Sequence, residues 1–235
     1  MPAPAVSGLS GVSGLVTSGP SASLYAATVL ADTPQGSWRL GEASGNALDS
    51  SGNGRTGTVS GGVTQGQAGA LPGNGCYLFD GVDGTRVRVV GLVVPAVYSI
   101  ECWVNAAVGP VDRGLAGCWR TSQGAFLWIA PGSGFFAAAH NGSPHLTGTL
   151  GLNGQWRHVV STYDGTTLRL YVDGVENTNA ARAALVTPAA TDFEIGTYAQ
   201  DTGINFTGRI DEVALYGTAL SPARVQAHYN AGIGA

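Results

Sequence analysis

Short apolar-rich runs punctuated by Gly, Asn, Asp and Pro recur along this 235-residue chain, and runs of that length bounded by turn residues mark β-strands. The reading places strands at 37–42, 76–79, 86–90, 97–105, 115–120, 126–130, 135–140, 146–150 and 193–196. Strands at 156–163 and 167–172 are joined by Asp164-Gly165, a hairpin turn signal. About a dozen short strands with no helix-period segment between them predict an all-β fold of two antiparallel sheets, a sandwich or jelly roll.

The longest run, 206–216, is apolar on both faces, which places it in the middle of a layered β-structure. Strict alternation puts Asp211 on one face with Val213 and Leu215, and Glu212 on the other with Ile210, Ala214 and Tyr216. A carboxylate buried beside Val213 needs a partner. The best candidate is the distant turn Asp49-Ser-Ser-Gly-Asn-Gly54.

Two short helices flank the strands. Ser23 is read as the cap of a helix over 24–31, stopped by Pro34, with Tyr25 and Val29 on one face. The closing helix has Ser221 as N-cap, Pro222 in its first turn, Leu220 and Val225 as a hydrophobic staple, and Gly232 beyond its end. Residues 1–23 repeat Val6-Ser-Gly-Leu9 as Val12-Ser-Gly-Leu15 in Gly/Ser-rich surroundings. Such a segment is either a flexible tail or an arm that orders on a partner, and the jelly-roll domain is expected over 24–235.

Composition narrows the partners. The 37 glycines, 44% apolar and 11% charged residues describe a packed, turn-rich β protein. All eleven basic residues are arginine, they form no cluster, and the net charge is −4, which argues against nucleic acid. The apolar run 89–100 is broken by Gly91 and Pro95 and is short of the roughly 20 residues of a membrane helix. Residues 1–20 lack the positive charge and apolar core of a secretory signal. Cys76, Cys102 and Cys118 lack metal-ligand spacing and read as buried free thiols, Cys102 lying on a face with Ile100 and Val104.

Several segments also fall in a recognisable order: Tyr25 to Asp32 before Trp38-Arg-Leu-Gly-Glu42, Asp49 to Gly54, Leu78-Phe-Asp-Gly81 and Tyr98-Ser-Ile-Glu-Cys-Trp103. Trp156-Arg-His-Val-Val160, Leu170-Tyr-Val-Asp-Gly174, Gly208-Arg-Ile-Asp-Glu-Val213 and the closing helix complete the series. Over about residues 24–232 the chain thus resembles the concanavalin A-like, laminin G-like jelly-roll superfamily. The resemblance implies a concave sheet that in many members binds carbohydrate. It also implies a structural calcium ion held by Asp49, Asn53 and Asp211, since calcium takes about six to eight oxygens from carboxylates and carbonyls. The alternative is an Asx turn that caps only its own backbone, with Asp211 held by amides or an arginine.

Glycosidases of this fold carry acids two or four residues apart on one strand. Here Glu101 is followed by Cys102 and Trp103, with Asn105 where a further acid would stand. Asp211 and Glu212 are adjacent and are expected to face opposite ways, and His140, His145, His158 and His228 show no metal spacing or neighbouring nucleophile. No catalytic residue is therefore assigned. Trp119, Trp128 and Tyr198 are the expected ligand-binding aromatics. These features favour a non-enzymatic virion protein, a bacteriophage capsid-decoration or minor tail component. Its arm would contact other virion proteins, with possible glycan contact and self-association. The alternative is a lectin-like module of a bacterial surface or secreted protein.

Overall fold

The computed structural model describes residues 22–106, 113–120, 122–130, 132–142, 144–188, 192–197 and 204–235. The arm over 1–21 and Tyr198 lie outside them. Two antiparallel sheets stack face to face, and two helices cover the outer side of one sheet. The first sheet runs β13 (Val175–Ala181), β12 (Thr167–Val172), β11 (Arg157–Tyr163), β6 (Tyr98–Asn105), β15 (Thr207–Tyr216), β4 (Gly75–Asp80), β3 (Thr64–Ala68), with β1 (Gly36–Trp38) also paired to β15. The second runs β10 (Leu146–Gly151), β9 (Phe135–His140), β8 (Gln123–Ile129), β7 (Arg113–Arg120), β14 (Phe193–Ile195), β5 (Arg86–Val89), β2 (Thr58–Ser60).

Alternation decides what fills each layer. Tyr98, Ile100, Cys102 and Val104 of β6 point into the sandwich, where they meet Leu115, Leu127 and Phe136 from the second sheet. The intervening Trp103 packs outward with Tyr25, Val160, Tyr171 and Val225 beneath the helices α1 (Ala22–Ala31) and α2 (Pro222–Ile233). Cys76, Cys102 and Cys118 are free and buried.

The helix signals hold with two amendments. Ser221 caps α2, its hydroxyl accepting the Arg224 amide at 3.3 Å, and Pro222 follows as the first helical residue. Gly232, expected past the end, lies inside the helix against Trp103, and a Cβ there would stand 2.4 Å from Trp103 Cζ2. Gly234 makes the left-handed cap instead, at φ 72. At the other end α1 begins at Ala22, so Ser23 lies within its first turn.

The larger correction concerns β15. Its pairing with β6 slips between Asp211 and Ala214, and Glu212 takes φ 49. This β-bulge shifts the alternation by one, so that Ile210, Val213 and Leu215 all face the sandwich core while Ala214 and Tyr216 face the helices. It also lies where the neighbour of β15 changes from β4 (residues 207–210) to β1 (residues 213–215). Asp211 and Glu212 do not diverge: both accept from Asn74 Nδ2, at 3.0 and 3.1 Å. Asp211 also accepts the Ala70 amide at 2.8 Å, and Glu212 pairs with Arg39 at 3.1 Å. The loop following β3, not the 49–54 turn, is the partner of Asp211.

Burial, then the neighbouring Glu212 charge, raises Asp211 well above the ordinary carboxylate value, and burial raises Glu212 to about 7 against the pull of Arg39. The folded protein therefore holds these protons more tightly than the unfolded chain does. That stabilisation is complete below about pH 4, where the unfolded carboxyls are protonated, and is lost as pH rises through about 7. Urea unfolding should accordingly show stability declining between about pH 5 and about pH 8, and Asp211→Asn should flatten the decline by raising stability at the alkaline end. An unchanged slope in the variant contradicts this placement of the two acids.

Candidate functional site

The outer face of the first sheet carries the densest polar chemistry among the described residues. Glu101 is completely buried on β6. Its Oε1 accepts from the Tyr216 hydroxyl at 2.8 Å and from the Tyr25 hydroxyl at 3.3 Å, and its Oε2 meets His228 Nδ1 at 2.9 Å and His158 Nε2 at 3.7 Å. His228 reaches Asp32 through Nε2 at 2.8 Å, and Asp32 in turn pairs with Arg224 at 2.8 Å. Burial alone would raise Glu101, but the His228 charge and the bonds from both histidines hold it well below the ordinary range. Burial would lower His228, and Glu101 with Asp32 outweighs it and raises the imidazole. A ring bonded at both nitrogens by carboxylates is an imidazolium. The cluster fastens α1, α2 and three strands together with no path for substrate.

Beside it opens a pocket of about 420 Å³. Trp103 of β6 lines its interior, Trp156 and Tyr229 are half-buried in its walls, and Ala70 with Pro72 closes the loop side. Tyr229 stacks on Trp103 with ring centres 6.0 Å apart and planes at 19°. Gly232 allows that approach, because any side chain there would strike the indole. Charge enters from Arg157, the first residue of β11, and Asp173, in the turn between β12 and β13. Arg157 Nη1 is hydrogen-bonded to Asp173 Oδ2, and Asp173 Oδ1 accepts the His158 amide at 3.1 Å. The pair is partly open, its side chains keeping 26% and 20% of their exposure. Rings for stacking and a donor–acceptor pair at the edge are the chemistry that can engage a small amphipathic ligand.

The aromatics expected to bind ligand behave differently. Trp119 and Trp128 do come together, each edge-to-face with Phe126 and with His145, on the outer face of the second sheet. Trp128 and Phe126 lie over the cross-strand Ala137 and Ala139 and are 6% and 2% exposed. The cluster packs on itself, with Trp119 and His145 half-buried at its edge.

Asp49, Asn53 and Asp211 were expected to share one ion, but each has separate partners. Asp49 accepts the amides of Ser37 at 3.1 Å, Ser51 at 2.9 Å and Arg55 at 2.9 Å. Burial pushes its carboxyl upward, and the Ser51 hydroxyl and these amides outweigh that and lower it. Asn53 Nδ2 donates to the Pro34 and Gln35 carbonyls, both at 3.1 Å. Asp49 is thus taken up by three backbone amides, Asn53 ties the turn to the Pro34 and Gln35 carbonyls, and Asp211 is bonded to Ala70 and Asn74 instead. No group of three or more His, Cys, Asp or Glu side chains suited to a metal occurs among the described residues. Replacing Asp49 by Ala should cost about 1–3 kcal/mol by leaving amides without an acceptor. A chelator should leave the melting temperature of the unaltered protein unchanged. Chelator-induced destabilisation contradicts this reading of the turn.

The residues of the pocket were legible only as motif members. Trp103 ends the segment from Tyr98, Trp156 and Arg157 open the one through Val160, and Asp173 lies in the one from Leu170 to Gly174. The hairpin register, Val159 opposite Val172, already brings Arg157 and Asp173 to one end of the ladder. Tyr229 belongs to the closing helix of the same series, and nothing in its spacing points to a ligand.

No curated protein matches the sequence. Among solved structures the chain is similar to the binding domain of botulinum neurotoxin serotype G (15% identity, TM-score 0.65, 83% of this chain and 50% of that one). It is also similar to domain 4 of AbnA, a GH43 extracellular arabinanase from Geobacillus stearothermophilus, solved with arabinotriose (22%, 0.63, 84% and 98%). A third similar structure is a Trypanosoma rangeli sialidase solved with the inhibitor DANA (15%, 0.62, 83% and 32%). At such identities the likeness concerns the fold, and the chain spans about half of the neurotoxin domain. No helix among the described residues is long and apolar enough to cross a membrane. A family model described as the concanavalin A-like lectin/glucanases superfamily matches residues 80–226, well over half of the chain, and the protein belongs to that superfamily.

Proposed function

We propose that this protein is a non-catalytic carbohydrate-binding module displayed on an outer surface, and that it holds its glycan in the pocket beneath α2. The observation that carries the reading is the meeting of Trp103, Trp156 and Tyr229 with the Arg157–Asp173 pair in one open pocket. Sugar rings present an apolar C–H face, which stacks on indole and phenol rings, and hydroxyls, which need donors and acceptors together. The arabinanase domain solved with arabinotriose matches over nearly its whole length, which supports a fold of this size as a sugar receptor.

Catalysis is disfavoured by placement. Hydrolysis of a glycosidic bond needs two carboxyls flanking the substrate. Glu101, Asp211 and Glu212 are 0%, 0% and 4% exposed, and each is hydrogen-bonded inside the protein. The virion setting rests on the N-terminal segment and the lysine-free composition, neither of which bears on the pocket, and the pocket supports glycan binding in whichever surface protein carries it.

The test is a binding screen of the full chain against a broad glycan panel, with released reducing sugar measured in parallel. Retention of glycan without hydrolysis is expected. Trp156→Ala should weaken binding by about tenfold or more, equivalent to about 1.4 kcal/mol, with the melting temperature little changed. Hydrolysis of a retained glycan, or full affinity in the variant, contradicts the proposal.

A further inference from the structure

We infer that the pocket takes the terminal ring of an uncharged glycan, and that the Arg157–Asp173 pair selects it by engaging two neighbouring hydroxyls. The inference rests on the carbohydrate-binding reading and adds the chemical class of the ligand to it.

Charge narrows the class of guest. Arg157 and Asp173 are the charged residues among those lining the pocket, they are bonded to each other, and they cancel. A carboxylate or sulfate entering would draw Arg157 away and leave Asp173, already turned inward to the His158 amide, without its cation. A cationic group would leave Arg157 unpaired in the same way. Removing one partner of a partly buried pair is costly, whereas a neutral guest leaves the pair intact.

A vicinal diol suits the intact pair. Each hydroxyl is both donor and acceptor, so one can donate to the Asp173 carboxylate while its neighbour accepts from the guanidinium. Arg157 retains capacity for this: a guanidinium carries five N–H donors, Nη1 is the nitrogen bonded to Asp173, and the side chain is partly open to the pocket. Burial and then the Asp173 charge raise the Tyr229 phenol, which keeps it an uncharged hydroxyl next to the pair. Asp173 itself is fixed by its backbone, since it sits at φ 52 and its amide donates to the His158 carbonyl at 2.8 Å.

Size and shape limit the guest. About 420 Å³ is near the lower end of the roughly 300–1,000 Å³ of small-ligand sites. The space is bounded by Ala70 and Pro72 on the loop side and by Tyr229, Gly232 and Ile233 on the helix side. One ring lying against Trp156 fits such a space, and the rest of a chain would leave toward solvent.

The experiment uses the full chain on a glycan array holding matched neutral, sialylated, uronate-containing and sulfated members, followed by calorimetry with the free neutral sugar. Asp173→Asn is the decisive variant, because Asn tolerates positive φ and keeps a side-chain carbonyl while removing the charge. Expected are neutral hits, a fall of about tenfold for them in Asp173→Asn, and a gain in acidic members as Arg157 is released. Arg157→Gln should lose neutral binding without the acidic gain, and it serves if Asp173→Asn melts early. Acidic preference in the unaltered protein, abolished by Trp156→Ala, overturns the neutral class while leaving a glycan-binding pocket. Neutral binding indifferent to both charge variants overturns the selecting pair. Absence of any glycan binding overturns the reading on which the inference rests.

Discussion

The structure depends on one buried carboxylate. Glu101 sits on a central strand with no exposure, and it is tolerable there only because Tyr216, Tyr25 and His228 supply hydrogen bonds and His228 supplies charge. Those partners come from β15, α1 and α2, elements far apart in sequence. Stripping one partner from such a group costs about 3–5 kcal/mol, because the remaining charge stays in an apolar setting. The two helices are therefore fastened to the sheet at a defined point as well as by the apolar packing of Val29, Leu220 and Val225.

That fastening builds the pocket. His228 and Tyr229 are consecutive on α2, one directed at Glu101 and the other at Trp103. The helix thus holds the aromatic wall by the same turn that closes the ion cluster, and Gly232 permits the close approach one turn later. The opposite wall depends on β11, where Trp156 and Arg157 precede His158, itself within the cluster. A site assembled from side chains adjacent to a rigid buried network is preorganised, which favours binding a ligand without reordering the protein.

Much of this architecture was legible in the sequence. Short apolar runs bounded by turn residues marked the inner strands, because both of their faces are buried, and Asp164-Gly165 marked the hairpin between β11 and β12, where Asp164 accepts the Thr166 and Thr167 amides. The strands that escaped notice are β2, β3 and β13: Thr64–Ala68 and Val175–Ala181 are edge strands, polar and largely uncovered, without an apolar face to create a pattern. The bulge at Glu212 escaped as well, since a single residue at positive φ leaves no compositional trace when it is not glycine. It shifted every later side chain of β15 by one face, and with it the predicted partner of Asp211. The burial of Trp128 was hidden for a related reason: the sequence shows that both faces of β8 are apolar, but not that the rings of the outer face lie over Ala137 and Ala139.

The most direct test of the fastening is the protonation state of His228. Nitrogen chemical shifts of its ring, followed as pH is raised, should show both nitrogens carrying hydrogen at neutral pH and a midpoint above the ordinary histidine value of 6.5. A neutral ring at pH 6, or a midpoint at or below the ordinary value, contradicts the account of Glu101 as the ionised centre that holds helices, sheet and pocket together.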